Sequence, residues 1–324
     1  MSGHRVLTQL KTPNLHKPII PGCSRKYTQA SSTSTSLPLA RKFCISTLRQ
    51  HDTASWILLP YIPPHARDAF ISLRVLNLQT AASAGSTPPG TTPPPSSGEL
   101  IPALRTHYFQ NLITSSLSGR SSPQPLSTLL THAAQTAEWS PHFFTRLLTA
   151  RSMPPLYPTL NDLEKYAEQT YSSMGYLMLQ ALGVGSVSAD HVASHVGKAE
   201  GICAVLRGVP AGLGEGRIAL PRDVLVKRGV KEEDVIRRGA EARGLRDAVF
   251  EVATRANDNL VAGRRMWEGG RGEGGLEAFL PGVATGLWLE RLERVDFDVF
   301  HPKLRVTDWR LPWKVWWAWK KRRF

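Results

Sequence analysis

The sequence predicts an all-α protein: one helical domain behind a disordered N-terminal leader. Three observations carry that expectation. Apolar residues recur at helical spacing through most of the chain, convincing alternating strands are absent, and the first 50 residues differ in composition from everything after them. At 324 residues with 41% hydrophobic content the chain can bury a real core. No apolar run approaches the roughly 18 residues that would read as a membrane span.

The leader is defined by charge. The formal net charge is +14, yet residues 1–50 carry eight of the forty Lys and Arg and none of the 26 Asp and Glu, so residues 51–324 hold a surplus of only six. More than half of the excess is therefore in the N-terminal sixth, which leaves no general case for a nucleic-acid surface. The segment is also Ser- and Thr-rich, as in Ser31–Ser36. An Arg-rich, Ser-rich, acid-free leader reads as a mitochondrial transit peptide, with a disordered basic tail as the alternative. Arg41-Lys42-Phe43 is the expected processing site and Arg25-Lys26-Tyr27 a competitor. Of three cysteines, Cys23 and Cys44 fall in or at the edge of this leader, so Cys203 alone lies well inside the mature chain. A disulfide framework or a cysteine zinc site is excluded there, which suits a reducing compartment.

Helices follow in order. Trp56–Leu76 reads as an approach segment and a helix opened by Pro63-Pro64. Residues 83–98 are almost wholly Pro, Gly, Ser and Thr, and read as a disordered insertion. Arg105–Leu117, Leu126–Ala137 and a segment opened by Pro141 are further helices. Leu163, Tyr166, Ala167, Thr170, Met174, Leu177, Met178 and Ala181 then keep helical register, with Thr159 and Asp162 as a capping box and Gly183 as the stop. Val192, Val196, Ala199, Cys203 and Leu206 form a second stripe with Ser188 as the expected cap, and Leu245, Val249, Val252, Ala256 and Leu260 a third. Gly-rich loops stand at 212–216 and 269–275, and eight to ten helices are expected in all.

The C-terminus is set apart by aromatics. Five of the nine tryptophans (Trp309, Trp313, Trp316, Trp317 and Trp319) lie in the last sixteen residues, and Lys320, Lys321, Arg322 and Arg323 follow at once. Indoles favour the lipid headgroup layer and a basic cluster favours anionic lipid, so residues 303–324 read as a membrane-surface tail, with packing of the rings onto the domain as the alternative. A helix would place Trp313, Trp316, Trp317 and the Lys320 stem on one face.

Chemistry is best sought in 188–221. A helix running through Gly201-Ile202-Cys203-Ala204-Val205-Leu206-Arg207-Gly208 is followed by a Gly-rich loop and the turn Arg217-Ile218-Ala219-Leu220-Pro221. With Tyr166–Gly183 before it, this resembles the squalene/phytoene synthase family of head-to-head prenyl transferases over most of residues 55–300. Three stretches in order are more specifically similar to the mitochondrial complex I assembly factor 6 branch. They are Ala69-Phe70-x-x-Leu73-Arg74-x-x-Asn77, Ala189-Asp190-His191-x-Ala193-Ser194-His195-x-Gly197-Lys198-Ala199-x-Gly201, and Arg294-Val295-Asp296-Phe297-Asp298-Val299-Phe300-His301-Pro302. The resemblance implies a single-domain, isoprenoid-synthase-type helical bundle over 51–302.

It also implies where metal should bind. Enzymes of the family ionise an allylic diphosphate with Mg²⁺, a hard cation held by two carboxylate clusters on facing helices. The first should follow Leu73-Arg74-Val75-Leu76, where the chain reads Asn77-Leu78-Gln79-Thr80-Ala81-Ala82, and no Asp or Glu occurs between Asp68 and Glu99. At the second, Ala204 and Gly208 replace the family's Asn and first Asp, and Pro210, Ala211 and Gly212 occupy later acidic positions. Arg207, Gly208 and Arg217 are left as the remnant of a cavity. The expectation is a pseudoenzyme with no catalytic, cofactor-binding or metal-binding residues. Its partners would be complex I subunits or assembly intermediates and anionic lipid, on the matrix side of the inner membrane. A prenyl-diphosphate-using transferase or an isoprenoid carrier is the alternative. Other patterns read structurally: His191 and His195 flank an apolar stripe, Asp296 and Asp298 suit a turn, and Gly212-x-Gly214-x-Gly216 follows a helix rather than the strand a dinucleotide site needs.

Overall fold

A computed structural model describes residues 36–83, 100–152, 156–214, 216–269 and 274–324, and among them every regular element is helical. Most of the expected leader and nearly all of the 83–98 insertion lie outside the described residues, as does the Arg25-Lys26-Tyr27 site.

The folded domain begins earlier than composition suggests. Helix α1, Leu37–His51, carries Ala40, Cys44 and Leu48 at steps of four, all fully buried. Arg41 grips Asp68 with two hydrogen bonds of 2.7 and 2.6 Å. The basic side chains that mark the leader point outward here while the small apolar stripe enters the core. Residues 37–50 thus belong to the folded domain, and cleavage at Phe43 would cut α1 in two. Burial raises the Cys44 thiol to about 12, so it is inert at neutral pH.

Asp52 then caps α2, Thr53–Leu58, by accepting from the Ser55 N–H at 3.1 Å. Helix α3, Pro64–Ser83, starts at the expected proline and runs a further turn or two past Leu76. The next helices are α4, Leu100–Leu117, α5, Pro125–Ala134, and α6, Pro141–Ser152. The capping box of Thr159 and Asp162 opens α7, Leu160–Ala167, as read from sequence. One π turn, Glu168–Ser172, joins it to α8, Ser173–Ala181, and Gly183 at φ +72° ends the run.

Helix α9, Val187–Leu213, is the organising element. Its cap is Ser186 rather than the expected Ser188, since the Ser186 hydroxyl accepts from the Ala189 N–H. It runs through Pro210 into the segment read as a loop. Its N-terminal half, from Ala189 to Val196, packs in one apolar core with α1, α3, α5, α6 and α8. Its C-terminal half, from Ala199 to Val209, packs in a second core with α7 and four later helices. These are α10, Arg222–Lys227, α11, Glu232–Arg238, α12, Leu245–Gly269, and α14, Pro281–Arg294, with the short α13, Leu276–Phe279, between the last two. The chain closes with α15, Leu311–Lys321.

The glycines of α9 have a packing reason. A Cβ on Gly197 would fall inside the backbone of Ser172 in the π turn, and one on Gly201 would stand 2.6 Å from the Ala167 Cβ. Gly197→Ala is therefore expected to lower the unfolding free energy by about 1–3 kcal/mol, read from the urea midpoint. An unchanged midpoint would refute this close approach.

Candidate functional site

The place where the family's first metal cluster belongs is built around an arginine. Arg151, buried on α6, donates to the Asn77 carbonyl at 2.9 Å, to Asn77 Oδ1 at 2.5 Å and to the Thr80 hydroxyl. Its guanidinium carbon also lies 5.8 Å from the centre of the Tyr171 ring. The oxygens that α3 offers at this position are thus turned to a fixed cation.

A second buried arginine crosses the cavity beside it. Arg74 Nη2 donates to Glu200 at 2.7 Å and its Nε to Ser55 Oγ at 2.6 Å, with Asp52 3.5 Å from Nε. Burial alone would pull the Arg74 pKa down, but Glu200 and Asp52 outweigh it and hold the guanidinium above its ordinary value. The cavity these groups line encloses about 410 Å³ and is bounded across from Asn77 by Ala204, Arg207 and Trp288. Its apolar inner end, between Phe70, Met174, Met178 and Val196, closes to about 30 Å³. That is room for a few water molecules at most.

Mg²⁺ does not fit this donor set. It needs several free carboxylate or phosphate oxygens. Asn77 and Thr80 face Arg151, Ala204 offers no oxygen, Glu200 pairs with Arg74, and Asp52 is engaged by Ser55 with Arg74 3.5 Å away. Among the described residues, no three His, Cys, Asp or Glu side chains are grouped to share a metal ion.

Of the three residues expected to line the old cavity, only Arg207 does. It stands exposed at the mouth, its guanidinium 5.4 Å from the Trp288 ring centre. Gly208, the next residue of the same helix, is rotated off that wall and meets no atom within 4 Å of a built Cβ. Arg217 is drawn onto the surface by a turn in which its N–H donates to Gly212 at 2.9 Å. The remaining candidates act structurally. His195 Nδ1 lies 2.9 Å from Asn259 Oδ1, and His191 is exposed. Asp296 pairs with Arg246, and Asp298 accepts from Phe300 N–H in a turn.

Behind the cavity, the π turn carries a carboxylate with strong partners. Glu168 accepts from Ser194 at 2.7 Å, Tyr176 at 2.8 Å and Arg146 at 3.0 Å. Burial alone would raise its pKa, but these hydrogen bonds win and hold it below the ordinary range. Glu164, partnered by Arg255, Asn259 and Lys198, is lowered in the same way. A depressed folded-state pKa gives stability that is full above the unfolded value and lost as pH falls through the folded one. The urea midpoint is therefore expected to fall below about pH 4.3, and Glu168→Gln to flatten that acid slope. A slope unchanged by the substitution would contradict this linkage.

The C-terminal segment proves to be part of the domain. Leu311, Val315 and Ala318 of α15 enter the core, which removes the expected boundary at residue 302. The outer side keeps the aromatic character: Trp309, Trp313, Trp316, Trp317 and Trp319 are each between 43% and 79% exposed. Lys320 and Lys321 lie over Trp316 and Trp317, at 5.0 and 5.4 Å from the ring centres. Arg322 departs from the expected basic face. Left-handed at φ +53°, it pairs inward with Glu277 at 3.0 Å, and its carbonyl accepts from Trp267 Nε1. Arg323 stays largely in solvent, 4.0 Å from Glu268.

Sequence reasoning quoted Arg74 as part of a motif without giving it a role, and missed Glu200, Asp52 and Arg151. The available signal was Glu200, a lone acid in an otherwise small and apolar stretch of α9.

Comparison with known proteins bears on both surfaces. Residues 48–316 match the family model described as squalene/phytoene synthase. The chain is 30% identical over 297 residues to a rat protein named NADH dehydrogenase (ubiquinone) complex I, assembly factor 6, covering 90% of this chain and 86% of the relative. It is 31% identical to the Drosophila melanogaster homolog of that name, covering 87% and 84%. Among solved structures, a dehydrosqualene synthase in complex with ligand superposes with a TM-score of 0.66 at 14% identity, covering 88% of this chain and 97% of that one. The squalene synthase HpnC of Alicyclobacillus acidocaldarius superposes at 0.64 and 19% identity, covering 81% and 96%. At those identities the likeness is one of fold.

Proposed function

We propose, starting from the fact that this chain belongs to the squalene/phytoene synthase family, that it is a non-catalytic assembly factor for mitochondrial respiratory complex I, peripheral on the matrix face of the inner membrane. The observation that carries the reading is the similarity, along about nine tenths of the chain, to proteins named complex I assembly factor 6. Its partners are complex I subunits or assembly intermediates, together with anionic lipid. The acid-free leader supports import. The non-catalytic part is supported by the donor set: Arg151 engages Asn77 and Thr80 where the first carboxylate cluster is expected, Ala204 and Gly208 stand at the second, and the apolar end of the cavity is narrow.

The test is deletion of the gene in its own organism. Complex I level on native gels and NADH:ubiquinone activity are expected to fall together, and re-expression of the full chain to restore both. Normal level and activity would sink the assembly role. Separately, purified full chain with Mg²⁺ is expected to leave farnesyl and geranylgeranyl diphosphate unconsumed. Turnover that disappears on substituting Arg207 would establish the transferase instead.

A further inference from the structure

A groove between α12, α14 and α15 has the chemistry of a lipid rather than of a core defect. It encloses about 730 Å³, against about 410 Å³ for the polar cavity. Val283, Leu287, Ala318 and Phe324 give it an apolar floor, and exposed rings of α15 wall it. Its charge is one-sided. Arg264, Lys314 and Arg323 reach it, and its one acid, Glu290, already has Arg310 at 3.6 Å and Arg294 at 3.9 Å. Arg264 is half-buried and donates its Nε at 2.9 Å to an oxygen of Phe324, the last residue of the sequence. Burial pulls its pKa down, and Glu290 offsets part of that. Hydrocarbon below and positive charge at the rim complement a phosphate attached to an acyl chain.

We propose that this groove binds one anionic phospholipid, the acyl chain along Val283, Leu287 and Trp317 and the phosphate at Lys314 and Arg323. The site rests on the membrane-peripheral reading and deepens it, because Trp313 and Trp317 belong at once to the groove and to the exposed indole surface. Indoles of that kind favour the headgroup layer, where a lipid can be drawn partly out of the bilayer. This favours a lipid over a helix of a protein partner.

The experiment uses the full chain and dioctanoyl phosphatidylglycerol below its micelle concentration, followed by calorimetry. One-to-one, saturable binding is expected, tighter than for dioctanoyl phosphatidylcholine by about tenfold, and Lys314→Glu is expected to weaken it about tenfold or more. The double variant Trp316→Ala, Trp319→Ala changes rings outside the groove. It should leave this binding intact while reducing flotation with anionic vesicles. Absence of saturable binding, equal binding of phosphatidylcholine, or full competition by glycerol phosphate would overturn the site. Loss of groove binding with flotation retained removes the groove alone. Groove binding without any flotation leaves the site standing and removes the membrane reading.

Discussion

Glu200→Ala is expected to destabilise the domain by about 3–5 kcal/mol, a large share of the roughly 5–15 kcal/mol that holds a typical domain folded. The reason is the charge it would strand. Arg74 and Glu200 have side chains about one tenth exposed and join residues 126 apart in sequence, on α3 and α9. Removing the carboxylate leaves a buried guanidinium with only Asp52 at 3.5 Å and the Ser55 hydroxyl. Removing both charges is a different experiment. The double variant Arg74→Met, Glu200→Leu keeps the volume and removes the pair together; Asp52 loses its 3.5 Å contact with Arg74 but is partly exposed and retains its Ser55 hydrogen bonds. It is expected to recover most of the loss, as buried pairs replaced by apolar side chains commonly do. Urea midpoints of the two variants decide the matter. A single variant as mild as the double one would mean that water reaches this wall freely. The same pair also tests the functional reading: a scaffold that needs only its fold should support complex I in the double variant and fail in the single one.

How much of this was legible depended on whether the signal was local. The capping box at Thr159 and the stripes of α9 and α12 are local patterns, and each produced its helix. Helix α1 was hidden because an acid-free, basic, Ser-rich composition outweighed three apolar residues at steps of four. Helix α14 was hidden because Gly282 and Gly286 lower local propensity. Those glycines instead admit other groups: a built Cβ on Gly282 would meet the Phe324 ring at 2.9 Å and one on Gly286 the Arg264 guanidinium at 2.7 Å. At the site, the missing acids could be counted from sequence, and so could Arg207. What replaced the acids could not. Arg151 reaches Asn77 across 74 residues, and no spacing encodes that meeting. The acid-free stretch 77–82 reads from sequence as a vacancy, whereas in the folded chain its Asn77 and Thr80 oxygens face Arg151.

Replacing Trp313, Trp316 and Trp317 together by alanine is expected to remove most binding to vesicles that contain anionic lipid. Each ring is about half exposed or more, and moving such a surface into the headgroup layer contributes roughly 1 kcal/mol. Three rings together then amount to about a hundredfold in partitioning. Lys320, Lys321 and Arg323 add about 1 kcal/mol each near an anionic surface, a contribution that falls within a Debye length and should fade as salt is raised. Arg322 should add little, being neutralised by Glu277. The substitution is preferable to truncation at Arg310, which would also strip Leu311, Val315 and Ala318 from the core and expose the partners of Phe324. Because the inward face of α15 is untouched, the thermal midpoint of the triple variant should stay close to that of the parent. Flotation that is undiminished, with that midpoint preserved, would mean that the indoles face something other than lipid. Flotation lost only at high salt, and equally in parent and variant, would mean that the lysines alone hold the protein to the surface. The two contributions separate cleanly only because the helix that carries them is anchored, with its apolar stripe in the core and its tryptophans outside.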